Sequence, residues 1–134
     1  MVALTPIVPD KVEILALVEA AVPWDLSGPD LPTVQVSLDM AEQFTHYGRI
    51  VADDLRTQCL GIPADSAVGR SAQATLSEAA RRLNLKPLAR TAGQRSAARR
   101  AQNLARLVQA LNRAIDRVIE EQARSRPIRT PLRR

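Results

Sequence analysis

Between residues 95 and 124 arginines and aliphatic residues recur with the period of an α-helix. Arg95, Arg99, Arg106, Arg113, Arg117 and Arg124 follow one another at spacings of 4, 7, 7, 4 and 7. At about 100° per residue all six fall within roughly 40° of one another on a continuous helix. Leu104, Leu107, Val108, Leu111, Ile115 and Val118 occupy the opposite side. The leucine side must leave water while the arginine side stays in water or meets an anion, so the pattern predicts a two-sided helix over 94–123.

Three more helices follow from the same period. Over 10–21, Asp10 stands at an N-cap position with Glu13 three residues later, and Val12, Leu15, Leu17 and Val18 supply apolar residues until Pro23 ends the run. The stretch PWDLSGPDLP is a loop, with Trp24 folded back over the end of the bundle. Over 32–60, apolar residues from Val34 to Cys59 recur every three or four positions, and Gly61 and Pro63 close the segment. This pattern absorbs TVQVSL, the one candidate strand. A third helix over 64–83 carries Val68, Ala72, Leu76, Ala79 and Leu83 on one face, and Gly69 weakens its first turns. The fold class is therefore all-α, an antiparallel helical bundle of about four helices, with a connector over 84–93.

A chain of 134 residues is the size of one domain and can bury a core without disulfides or metals. An extended segment over 1–9 precedes the bundle at 10–124. At 125–134, SRPIRTPLRR has too few apolar groups to offset ordering entropy and reads as a basic flexible tail. The core has only three aromatic residues to draw on, Trp24, Phe44 and Tyr47. A single cysteine, Cys59, excludes an internal disulfide and a thiol metal cluster and suits a reducing cytoplasm; Cys59 itself reads as a small buried apolar residue. The N-terminus MVALTPIVPDKVEI has no basic start and is broken by prolines, unlike a secretion signal, and no apolar run is long enough to span a membrane.

The net charge of +5 conceals a polarity, for residues 1–69 sum to −7 and residues 70–134 to +12. Such asymmetry points to an anionic partner or to self-association between unlike halves. The arginine stripe could track phosphates over about 43 Å of helix. It could equally be a solvated face, with Arg117 paired to Glu121 and flanked by Asp116 and Glu120. The segment TLSEAARRLNLKP resembles the opening of a helix-turn-helix. Its recognition helix would span 87–94 and bring Lys86 and Arg90 to phosphates, although Arg90 and Gly93 occupy positions that should pack inward. Glu42, His46, Arg49 and Asp53 share one face of the second helix. Glu42 and His46 are metal or proton-transfer candidates, and surface pairing at four-residue spacing is the simpler account. Phosphate-binding glycine loops and nucleophile elbows are absent, and no cofactor is implied.

The stretches SEAARRLNL (77–85) and ARRAQNLARLVQALNRAI (98–115), after a proline-bounded loop and a long second helix, resemble a family of small all-helical actinobacterial proteins labelled as natural-product biosynthesis proteins. The resemblance covers about 10–117, and the chain departs from it over 118–134. It implies a genomic setting and supplies no catalytic residues. The expected function is a non-enzymatic interaction or accessory protein docking a protein partner, or itself, through the basic helix face. A DNA-binding regulator is the alternative, and a small enzyme built on Glu42 and His46 is a third.

Overall fold

The computed structural model describes residues 11–86, 88–89 and 91–125. Its described helices are α1 (Lys11–Ala21), α2 (Val34–Gln58), α3 (Ala67–Leu83) and α4 (Gln94–Ser125), with a 3₁₀ turn at Cys59–Gly61 and no strand among the described residues. Asp10 and the segments 1–9 and 126–134 lie outside the described residues. Ser125, assigned to the tail, is instead the last residue of α4.

Side-chain caps set where α2 and α3 begin. The Thr33 hydroxyl accepts from the Val36 amide at 3.2 Å, which starts α2 two residues after Pro32. The Ser66 hydroxyl accepts from the Gly69 amide at 3.0 Å and donates to the Pro63 carbonyl at 2.7 Å. Residues 64–66 are thereby held in a turn, and α3 starts three residues later than periodicity alone predicts. Gly69 is the residue this turn requires, since a Cβ there would lie 2.5 Å from the Pro63 carbonyl oxygen. At its other end α2 tightens into the 3₁₀ turn instead of ending on a left-handed glycine, and no described residue has positive φ.

The two long helices share the largest interface. Gln94 donates to the carbonyls of Leu31 and Pro32, both at 2.8 Å, just before α2. Gln122 donates to the Gln58 carbonyl at 2.7 Å, at the end of α2. α2 and α4 therefore run parallel, as the second and fourth helices of an up-and-down bundle do, but as direct neighbours. In its first turns α4 buries only small residues, Ala97, Ala98, Ala101 and Ala105, against its neighbours. α3 returns antiparallel to α2, bringing Leu83 against Gly48. One core results, with Phe44, Leu55, Val108 and Leu111 at its centre and Trp24 packed partly buried against it.

Long polar side chains satisfy the carbonyl ends of the helices, which have no intrahelical partner. Gln102, only 4% exposed, donates its amide to the carbonyls of Ala21, Val22 and Trp24 at 3.2, 3.0 and 2.9 Å, closing α1. Gln122 closes α2, and Arg49 donates to the Leu83 carbonyl at 2.8 Å, closing α3 together with Asn84, which donates to Ala80. In contrast, the Ser37 hydroxyl is fully buried with no hydrogen-bond partner.

Two opposite changes follow in urea unfolding. Gln102→Met fills the space but strands the Val22 and Trp24 carbonyls, the Ala21 carbonyl keeping the Trp24 amide, and costs roughly 1–3 kcal/mol. Ser37→Ala removes an unmatched hydroxyl from a helix and raises stability, by about 0.5 kcal/mol or more. A neutral Gln102→Met would show that water replaces the amide.

Candidate functional site

On α4 the arginines take up the predicted orientation. Arg95, Arg99, Arg106, Arg113, Arg117 and Arg124 are all exposed, and Leu104, Leu107, Val108, Leu111 and Val118 are buried. The two ends of the stripe are engaged. Arg95 donates to the Leu26 carbonyl at 3.0 Å. Arg124 pairs with Glu121 at 2.7 Å, so Glu121 serves Arg124 and not Arg117 as the spacing suggested. Arg99, Arg106, Arg113 and Arg117 take part in no hydrogen bond or ion pair among the described residues. They span about 27 Å of helix. The buried arc of α4 is wider than the leucine pattern indicates, about 240° at 100° per residue, because α1 packs on its N-terminal half. Gln102 lies at the border of this arc, beside the stripe.

The helix-turn-helix expectation fails in the connector. Among its described residues, 84–93 contains no helix, only a turn in which the Ala92 amide donates to the Ala89 carbonyl at 2.9 Å. Asn84 spends its side chain on the end of α3, and Gly93 leaves the next helix to begin at Gln94. Lys86 is exposed and its carbonyl accepts from Arg100 at 3.0 Å. Arg90 lies outside the described residues.

On the opposite side of α4 from its α1 contact, a cleft of about 720 Å³ opens between α2, the connector and the first turns of α4. Its apolar lining is Leu38, Ala41, Leu83, Leu85, Leu88 and Leu104, and its polar rim holds Asp39, Glu42, His46, Arg49 and Arg100. Glu42 and His46 thus face a cavity, but no group of three His, Cys, Asp or Glu side chains that could hold a metal occurs among the described residues. The proposed surface pairing of this face is also revised. Asp53 pairs with Arg56 at 2.5 Å, and Arg49 turns to the end of α3. Sequence reasoning missed Arg100 and the connector leucines, because their roles depend on the path of the chain from 84 to 93.

No protein-family model, curated protein or solved structure matches this chain. No described helix is long and apolar enough to cross a membrane.

Two isolated groups report on the interior. Burial pushes the Cys59 thiol up, leaving less thiolate at neutral pH than in an exposed cysteine. Burial also raises the Tyr47 phenol above its ordinary value, opposed in part by the Asn112 side chain beside it. Because the folded state prefers the neutral phenol, Tyr47 contributes stability below about pH 10 that is lost as pH rises further. With a single tyrosine in the chain, absorbance titration reads this group alone. We expect its midpoint above that of the urea-unfolded chain, with stability falling across the same interval; coincident midpoints would mean that the ring is wet.

Proposed function

We propose that the protein is a non-enzymatic helical interaction protein that docks an acidic protein surface through α4. The observation that carries this reading is the row Arg99, Arg106, Arg113 and Arg117, exposed and without ion-pair partners among the described residues. Ordinary solvated faces pair such charges with neighbours, as Glu78 does with Arg81 and Arg82 on α3. Four like charges left together repel one another and are relieved by an anionic partner. An accessory role in natural-product biosynthesis is supported by the resemblance of 77–85 and 98–115 to proteins so labelled, and a reducing cytoplasm by the single unpaired cysteine. A sequence-reading DNA regulator is disfavoured by the absence of helix among the described residues of the connector.

The test is the variant Arg99→Gln/Arg106→Gln/Arg113→Gln. Helicity and thermal unfolding should stay close to wild type, whereas Leu111→Ala should cost on the order of 2–5 kcal/mol through a residual cavity. Anisotropy with a labelled poly-glutamate peptide should show wild-type binding that weakens with salt, and the variant should lose roughly tenfold or more in affinity. Tighter binding to a duplex DNA of equal charge at physiological salt would transfer the proposal to nucleic acid, and failure to bind either would end it.

A further inference from the structure

The cleft between α2 and the connector is separate from the arginine stripe. On α4 its wall is built by Arg100 and Leu104, about a third of a turn or more from Arg99 and Arg106. Its volume of about 720 Å³ lies within the usual range of small-molecule sites. Every apolar residue lining it is aliphatic, so a flexible hydrocarbon would find leucine on both walls. Leu85, at the mouth, remains 52% exposed. Along α2 the lining runs from Gln35 to Arg49, about 21 Å, which is the reach of a long acyl chain.

The charged rim specifies the head group. Arg49 and Arg100 each commit one guanidinium nitrogen to a backbone carbonyl, of Leu83 and of Lys86. Both are thereby anchored to the same short stretch of chain, with further N–H donors left to offer. Guanidinium groups held in place this way suit the two oxygens of a carboxylate and lose less freedom on binding. Asp39, held by the Gln35 amide at 2.8 Å, and Glu42 line the α2 rim and repel a second negative group. We infer that the cleft binds a linear aliphatic monocarboxylate, its head group on Arg49 or Arg100 and its chain along Leu38, Leu85, Leu88 and Leu104.

Calorimetric titration of laurate into the full chain tests this. Saturable binding of one laurate per chain is expected, with dodecanol at least about tenfold weaker for want of the carboxylate. Leu88→Gln, in the connector and outside every helix, should weaken laurate about tenfold with unchanged melting. Arg49→Lys combined with Arg100→Lys, which keeps a donor for the Leu83 and Lys86 carbonyls but loses both forks, should weaken it while the fold persists. The triple glutamine variant of the stripe should bind laurate as the wild type does. Absence of saturable binding, equal affinity for dodecanol, or loss of binding in the stripe variant would each overturn the assignment.

Discussion

A helix that ends inside a protein leaves carbonyl groups that water cannot reach, and this fold depends on how they are satisfied. The usual device, a left-handed glycine closing the last turn, is not used in any described element. Instead a side chain from another helix is brought to the ends of the first three helices: Gln102 to α1, Gln122 to α2 and Arg49 to α3. The donors fix both position and register, because an amide must lie within hydrogen-bond reach of a particular carbonyl. With Gln94 held at the start of α2 and Gln122 at its end, the two long helices cannot slide past one another without breaking bonds at both ends.

Small residues make those bonds reachable. A Cβ on Gly61 would lie 2.9 Å from the Gln122 amide nitrogen, so the absence of a side chain there admits the cap. The buried alanines of α4 let α1 and α2 approach closely enough for Gln94 and Gln102 to span the gap. Close backbone approach also compensates for a core with few aromatics, in which Phe44 is the one fully buried ring. The same polar economy shapes the cleft, since Arg49 caps α3 and lines the cavity at once.

Much of this was legible in the sequence. The 3.6-residue period located all four helices, and the opposition of arginine to leucine oriented α4, because burial of apolar surface dominates the placement of an amphipathic helix. What escaped was decided by tertiary contact. Gln102 looks like one more polar residue, because it lies about 40° beyond Ala98 and next to the arginine stripe, and only the loop after α1 packed on that edge buries it. The start of α3 was misplaced because the Ser66 cap outweighs the helix propensity of Ala64. The Arg117–Glu121 and Arg49–Asp53 pairs were inferred from spacing alone, and other partners won, as is common where surface pairs differ by a few tenths of a kcal/mol. The cleft was illegible because it depends on the route of the irregular connector.

The position of the caps along the chain has a consequence for biosynthesis. Gln102 and Gln122, which close α1 and α2, both belong to α4, the last described helix to leave the ribosome. A nascent chain ending at the connector already contains α1, α2 and α3 but none of the α4 alanines that cover their apolar faces and neither glutamine. Its helices therefore wait, with open carbonyl ends and uncovered leucines, until α4 emerges and closes the bundle in one cooperative step. Assembly of this domain accordingly waits for α4 and its two glutamines to be made, rather than proceeding helix by helix.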